Sequence, residues 1–217
     1  MRVYKLFDSR WGTEALLRRR LKASILDDLN DPFEGRCVRF KSKLERIAWE
    51  KALKSFSLKH GLVCFSKGWS NPVLWSHYAD QHRGMALGFD IANHVPISEV
   101  AYQDTLLDFN DIWAARKDDQ WRAVQQIFTT KFKHWEYEEE VRSFCDLSEK
   151  DTVSGHYFLD YGADLKLKEV VFGAKFNGDA LWVRKCVSDI EDVRFTTARL
   201  AFQTFSITNQ SDRRRQF

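Results

Sequence analysis

Residues 62–90, LVCFSKGWSNPVLWSHYADQHRGMALGFD, constrain the fold more than any other stretch of the chain. The apolar run at 62–65 predicts a buried strand that ends at Ser66, and MALGFDI predicts a second core strand from Met85. Between them lie a loop rich in Gly, Ser, Asn and Pro and a short helical segment, VLWSHYA. The loop and helical segment carry these aromatic and polar side chains: Trp69, Trp75, Ser76, His77, Tyr78 and His82. Flat rings and polar groups that converge on rigid strands are typical of a pocket wall.

The length and composition favour one domain, residues 1–217. Such a chain can bury a substantial core, and with only three prolines and no repeat it has no obvious linker. The N-terminal residues MRVYKLFDSRWG are charged within a few positions, unlike a signal peptide or a membrane span. The four cysteines form no CxxC pair, so we expect reduced thiols in a cytoplasmic protein that does not enter a membrane.

The charge balance is only mildly basic. Lys and Arg number 34 against 31 Asp and Glu, which gives a net charge of +3 and no strong nucleic-acid signal by itself. Two local runs of three arginines, at 18–20 and 213–215, nevertheless permit contact with nucleic-acid phosphates.

The remaining patterns predict an α+β fold. The first strand is RVYKLF, with Tyr4 on one face and Lys5 on the other. Helices are expected at 13–23, 42–59 and 178–188, together with one long or broken helix over 107–135. The C-terminal third is rich in strands, and most strands are not adjacent to long helices. A mixed or antiparallel sheet core with peripheral helices is therefore favoured over a doubly wound sheet.

Two kinds of reactive site are disfavoured by the sequence. The potential metal ligands His60, Cys64, His77 and His82 lack the spacing of a zinc site, so no metal is predicted. A nucleophilic Cys or Ser acting with His77 is also a weak hypothesis. The chain has no GxSxG elbow, and Cys64 lies in an apolar strand where a thiolate is disfavoured.

An acidic run at 136–140 leads into a predicted core strand. On an extended chain Glu138 and Glu140 project to the same face, and Arg142 continues that row. Two adjacent carboxylates entering a core are costly unless they are used or paired. The run is therefore either a solvated helix end with an ion pair to Arg142, or a functional carboxylate pair beside the aromatic pocket.

Three motifs together resemble a bacterial family of uncharacterised domains whose hallmarks are LNDPFE, WxHYAxxHxG and WxYExExR. Here they read LNDPFE at 29–34, CFS at 64–66 with LWSHYADQHRGMALGFD at 74–90, and HWEYEEEVR at 134–142. This resemblance covers about residues 3–175, and the order of elements resembles the ADP-ribosyltransferase superfamily, including nucleic-acid-modifying toxins. The role of Asn30, Asp31 and Pro32, a structural turn or a ligand-facing loop, stays open.

The resemblance implies a role for eight residues. Glu140 matches the invariant catalytic Glu, and Glu138 is the first member of an E-x-E pair. Ser66 matches the second-strand Ser or Thr, and Tyr4 and Lys5 stand where the superfamily usually has His or Arg. A nicotinamide pocket would have a wall formed by Trp75, His77 and Tyr78. The alternative for Trp75 and Tyr78 is a position in the core, and the alternative for His77 is a structural hydrogen bond.

The implied chemistry is transfer of ADP-ribose from NAD without a metal. Cleavage passes through an oxocarbenium-like transition state, as in glycoside hydrolysis. A fixed carboxylate facing that charge contributes about 3 kcal/mol. Glu138 would orient or deprotonate the acceptor, and Lys5 or Arg83 would face the pyrophosphate.

These features lead to two functional hypotheses. The first is a bacterial toxin or phage-defence effector that modifies nucleic acid, RNA favoured, and is neutralised by a protein antitoxin. The alternative is a non-catalytic nucleic-acid-binding or protein-interaction module that uses the same pocket. Consumption of NAD distinguishes the two.

Overall fold

A computed structural model describes residues 1–115, 120–147 and 149–217 of the chain. The described helices are α1 (Ser9–Arg18), α2 (Lys43–Ser57), α3 (Pro72–Tyr78), α4 (Phe109–Ala115), α5 (Gln120–Phe128) and α6 (Ala180–Cys186). The described strands are β1 (Arg2–Phe7), β2 (Arg20–Ala23), β3 (Val38–Arg39), β4 (His60–Ser66), β5 (Met85–Ile91), β6 (Ile97–Glu99), β7 (Ala101–Gln103), β8 (Leu107–Asp108), β9 (Thr130–Phe132), β10 (Glu140–Asp146), β11 (Tyr157–Asp160), β12 (Leu165–Phe172), β13 (Arg194–Leu200) and β14 (Ile207–Asn209).

The largest sheet among the described residues has eight strands in the order β14-β13-β12-β5-β1-β4-β10-β6. Its neighbouring strands are antiparallel except β12 and β13, which run parallel. Small two-stranded sheets join β2 to β11, β3 to β8 and β7 to β9. The predicted α+β class, with a mixed sheet and peripheral helices, is confirmed. In the part of the chain that the structure describes, no helix is long and apolar enough to cross a bilayer.

The sheet is nearly divided between β1 and β4. β1 pairs with β5 along its whole length, and β4 pairs with β10 along its whole length. Between β1 and β4 the one register pair is Tyr4 with Ser66. Strands form a ladder only where their backbones stay close, so the two halves of the sheet separate on either side of this pair. That separation places the candidate site.

The two faces of the sheet have separate cores, and β1 contributes alternately to both. Val3 packs with α1 and α6 in the main core, whereas Tyr4 packs on the opposite face with Trp75 of α3. This alternation of side chains is the one predicted for RVYKLF. At Gly84, before β5, a Cβ atom would lie 1.9 Å from the carbonyl oxygen of Phe7, so only glycine fits at this close approach.

The predicted helix over 13–23 is displaced in the structure. Asp8, not Thr13, caps α1, and its carboxylate accepts a hydrogen bond from the amide of Trp11 at 2.7 Å. The helix ends at Arg18 because Arg19 adopts a left-handed conformation with φ 53°. Residues 20–23, predicted as its last turn, form β2 instead.

The long or broken helix predicted over 107–135 is confirmed only in part, since α4 and α5 lie within this range but neither end of it is α-helical. Its first residues form β8 and α4, α5 ends at Phe128, and residues 116–119 lie outside the described part of the chain. The hydroxyls of Thr129 and Thr130 donate to the carbonyls of Gln125 and Gln126, at 2.8 and 2.7 Å. These bonds accompany the change from α5 to the strand β9, which carries Lys131 into the interior.

Candidate active site

A cleft of about 190 Å³ lies beside the Tyr4–Ser66 pair, where β1 and β4 separate. Its walls come from β1, β4, the segment 24–34, α3, β9 and the start of β10. The polar residues that line it are Tyr4, Lys5, Ser24, Asp28, Asn30, Glu34, Cys64, Ser66, Tyr78, Lys131, Glu138 and Glu140. All three sequence motifs therefore contribute side chains to one cavity.

The LNDPFE motif forms a turn that presents two side chains to this cleft. Asp31 is 4% exposed, and its carboxylate accepts a hydrogen bond from the amide of Phe33 at 2.9 Å. Such an Asx turn fixes the backbone between Asn30 and Glu34, which both line the cleft. Asp31 is therefore a structural residue of the turn, and it lies between two residues that line the cleft.

The step from Glu138 to Glu140 is a turn, not an extended segment. Glu138 ends a 3-10 helix over Lys133–Glu138, Glu139 is left-handed with φ 43°, and β10 begins at Glu140. Ser66 fixes this turn, since its hydroxyl donates to the carbonyl of Glu138 at 2.5 Å. The expected extended geometry is wrong at Glu138. Even so, both carboxylates reach Lys131.

Arg142 joins two of the buried carboxylates. Its guanidinium is fully buried and donates to Glu34 at 2.6 and 2.7 Å and to Glu140 at 2.8 and 2.9 Å. It also donates to the carbonyl of Phe128 at 2.7 Å. A buried guanidinium bound at both edges by carboxylates holds them in fixed positions.

Lys131 joins the second pair of carboxylates. Its ammonium donates to Glu138 at 2.6 Å and to Glu140 at 3.2 Å, and it lies 3.6 Å from Glu34. The same ammonium lies 4.7 Å from the ring centroid of Trp135, within the range of a cation–π contact. Residues Glu34, Lys131, Glu138, Glu140 and Arg142 thus form one buried charge cluster.

The two carboxylates of the E-x-E pair have opposite pKa shifts. For Glu140, burial acts to raise the pKa, but Arg142 and Lys131 outweigh it and lower the pKa to about 2. For Glu138, burial dominates and raises the pKa above its usual range, although Lys131 opposes it. Glu140 is therefore held as an anion, and Glu138 is the better suited of the two to exchange a proton.

Tyr78 connects Glu138 to the LNDPFE turn. Its hydroxyl donates to a carboxylate oxygen of Glu138 and accepts from the side-chain amide of Asn30 at 2.5 Å. Burial, reinforced by the charge of Glu138, raises the pKa of Tyr78. Tyr78 therefore remains a neutral donor that orients the Glu138 carboxylate.

Lys5 stands at the rim of the cleft on β1. Its ammonium donates to the carbonyl of Cys64 at 3.0 Å, and within the described residues no carboxylate lies at ion-pair distance from it. Burial lowers the pKa of Lys5. Burial also raises the pKa of the Cys64 thiol, so Cys64 stays protonated and is not a nucleophile.

Two of the eight residues assigned from the sequence lie outside this cleft. Trp75 is fully buried in the core formed with Tyr4, and its indole donates to the carbonyl of Trp69 at 2.6 Å. His77 is exposed on α3, where its ring contacts Trp135 and Tyr137. The assignment of Trp75 and His77 as pocket walls is therefore corrected. The remaining six line the cleft, although the hydroxyl of Tyr4 donates to Glu169 at 2.9 Å.

Two members of the charge cluster, Glu34 and Lys131, have no role predicted from the sequence. Glu34 is the last residue of the LNDPFE motif, so the motif indicates its position, although its partner Arg142 lies 108 residues away. Lys131 carries no such signal, because it falls near the end of the predicted long or broken helix over 107–135, where a lysine is expected to be solvated.

In the described residues, no group of three His, Cys, Asp or Glu side chains is arranged to hold a metal ion. Glu34, Glu138 and Glu140 are joined by cations instead. The chain matches no protein-family model, no curated protein and no solved structure in the comparisons made with each.

Proposed function

We propose that this chain is an NAD-dependent ADP-ribosyltransferase that reacts in the cleft between β1 and β4. The observation that carries the proposal is the buried pair Glu138 and Glu140, bridged by Lys131 at an open cavity. When every member is ionised, the charge cluster has three carboxylates against two cations, which leaves one net negative charge. A buried negative cluster favours the positive charge that develops on the ribose of NAD.

The proposed architecture is ADP-ribosyltransferase-like. Four positions that the family resemblance picks out meet at the cleft: Lys5 on β1, Ser66 at the end of β4, Tyr78 on α3 and Glu140 at the start of β10. This convergence supports the proposal because the four positions lie on separate parts of the chain.

The reaction breaks the bond between C1′ of the ribose and N1 of nicotinamide. The bonding electron pair goes to N1, so nicotinamide leaves as a neutral molecule. The acceptor atom then bonds to C1′, and its proton passes to the carboxylate of Glu138. Glu140, fixed by Arg142 and Lys131, provides the negative charge that stabilises the oxocarbenium-like transition state.

Nucleic acid, with RNA favoured, is the proposed acceptor. The net charge of +3 is too small to indicate such a partner by itself, but the two local arginine runs, at 18–20 and 213–215, permit contact with its phosphates. A transferase of this kind acting on cellular RNA would be toxic to its host. We therefore extend the proposal to a toxin or phage-defence effector with a neutralising protein partner.

One observation favours a second candidate, a non-catalytic binding module. Both oxygens of Glu140 already accept hydrogen bonds from Arg142 or Lys131, as expected of a purely structural network. Under this alternative the same cleft binds its ligand without chemistry. It predicts no release of nicotinamide under any condition.

The experiment that tests the proposal is release of nicotinamide from NAD by the purified protein, with and without total RNA. We expect release that increases when RNA is added and radiolabel from the adenine of NAD that becomes attached to RNA. Intact NAD, together with a melting temperature that NAD does not change, would contradict the proposal.

Replacing Lys131 by methionine should shift the acid limb of the pH–rate profile to higher pH. Lys131 lowers the pKa of Glu138 against the effect of burial, so its loss raises that pKa further. Because a general base must be ionised, the variant then needs a higher pH to reach the same activity. The profile is measured as the rate of nicotinamide release between about pH 4 and 9, the range where shifted carboxyl pKa values fall.

Lys133→Met is the matched control, since Lys133 is two residues away but exposed, with an ion pair to Asp104 at 3.4 Å. Its acid limb should coincide with that of the unmodified protein. If the profile of Lys131→Met also coincides with that of the unmodified protein, Glu138 is excluded as the group whose ionisation determines the acid limb.

A further inference from the structure

A second cavity, of about 680 Å³, adjoins the cleft. Residues Lys5, Leu6, Ser24 and Tyr78 line both cavities, so the two are immediate neighbours. We call the second cavity the β2 groove, because β2 forms one wall between α1 and Phe158 of β11. The groove takes no part in the chemistry proposed above.

The β2 groove has a cationic wall. Along β2, Leu21 and Ala23 are buried in the main core, and the alternate residues Arg20 and Lys22 line the groove. Lys5 adds a third cation at the junction with the cleft.

The carboxylates that line the groove are already engaged. Asp8 caps α1, and Glu14 pairs with Arg18 at 3.0 Å. The groove lining still has an excess of cations, with Lys5, Arg18, Arg20 and Lys22 against the two carboxylates Asp8 and Glu14.

Arg20 is held in place with an unused donor. Its guanidinium lies 3.7 Å from the ring centroid of Phe158, and its Nη1 donates to Asp151 at 2.8 Å. Its Nε is buried and has no acceptor among the described residues. Lys22, two residues along, makes an ion pair with Asp28 at 2.9 Å and is still 38% exposed, so it can contact a ligand.

The two cavities differ in charge in the way that the two halves of NAD differ. The cleft contains the net negative charge cluster and the groove a cationic wall, whereas NAD has a cationic nicotinamide and an anionic diphosphate. The cleft, at about 190 Å³, is also smaller than the roughly 300–1,000 Å³ of usual ligand pockets. A dinucleotide held there must extend into adjoining space.

We propose that the β2 groove binds the adenosine diphosphate half of the co-substrate, an assignment that rests on the proposed use of NAD. Lys22 and Arg20 contact the diphosphate, and Lys5 lies where the nucleotide passes from the cleft to the groove. Trp11, which is 56% exposed at the groove, offers its ring for stacking on adenine.

The test is calorimetric binding of ADP, a probe that contains the diphosphate and adenosine but no nicotinamide. Lys22→Glu should weaken ADP binding at least tenfold, and Lys22→Met should weaken it less. Trp11→Ala should weaken binding of ADP while leaving binding of inorganic pyrophosphate unchanged. Lys43→Glu, an exposed change on α2 outside both cavities, is the matched control, and circular dichroism verifies that each variant is folded.

The outcomes separate this assignment from the proposed function. If Lys22→Glu binds ADP as tightly as the unmodified protein, the groove is not the site, even when NAD is cleaved. If Lys22→Glu loses ADP binding and the unmodified protein leaves NAD intact, the groove is a nucleotide site and the transferase proposal fails. Loss of affinity for an RNA oligonucleotide with ADP binding unchanged would assign the groove to the acceptor and overturn the inference.

Discussion

Replacing Arg142 by methionine should lower the free energy of unfolding by about 3–5 kcal/mol. Arg142 is fully buried and provides hydrogen bonds to both Glu34 and Glu140, so its loss leaves two buried carboxylates without their main partner. Lys131 remains, but it already interacts with Glu138. The measurement is equilibrium unfolding in urea at neutral pH.

Arg36→Met is the matched control, because Arg36 pairs with Glu50 on the surface, with both side chains 40% or more exposed. A surface pair of this kind contributes about 0–1 kcal/mol. Adding Glu34→Gln to Arg142→Met should restore part of the lost stability, since it removes one of the unpaired charges. A loss below about 1 kcal/mol for Arg142→Met would mean that the charge cluster is not closed to water, because surface pairs contribute no more than this.

The sequence predicted two strands, β1 and β5, and two helices, α2 and α6, to within two residues, but it misplaced α1. β1 and β5 have the predicted limits because the apolar pattern extends over the full length of each strand. Apolar residues alternate along β1 and are concentrated along β5. α1 was displaced because Thr13 and Asp8 are both acceptable caps, and only the tertiary structure selects Asp8. Local patterns thus define elements that are long and regular, whereas helix ends depend on competing local hydrogen bonds.

The candidate site was predictable only where a motif marked it. Glu138, Glu140, Tyr78 and Ser66 lie in conspicuous motifs, and all four line the cleft. Trp75 lies in the same motif as Tyr78 but packs into the core. A helix of seven residues has two turns, and its sequence alone does not show which ring faces the core and which faces the ligand.

The cation that bridges the carboxylate pair could not be predicted from pattern. Lys131 is 3% exposed, whereas lysine in a polar, helix-like stretch is normally solvated. Its burial follows from the pairing of β9 with β7 and from the turn at Glu139, contacts that join distant parts of the chain. Such a residue is recognised only from the charges that surround it.

Glu140→Gln should reduce the rate of nicotinamide release by about 10²–10³-fold, the usual effect of removing one preorganised electrostatic group. The substitution keeps the shape of the side chain and removes the negative charge that the proposed reaction places beside the ribose. Its amide oxygen can accept only one of the two bonds from Arg142, because the NH2 group that replaces the second oxygen is a donor. Arg142 retains both bonds to Glu34, so the variant should fold and still gain thermal stability from NAD. The rate is measured per mole of folded protein.

Glu138→Gln distinguishes the roles of the two carboxylates, because in the proposed reaction Glu138 accepts the proton of the acceptor and Glu140 does not. We expect Glu138→Gln to reduce transfer to RNA by about 10²–10⁴-fold, the range for loss of a general base, and to reduce hydrolysis of NAD less. Glu136→Gln is the matched control, since Glu136 is exposed on the same 3-10 helix and does not line the cleft. Full release by Glu140→Gln, with its fold intact, would instead assign the charge cluster to stability alone. Absence of nicotinamide release by the unmodified protein itself would make the non-catalytic binding module the better account of the cleft.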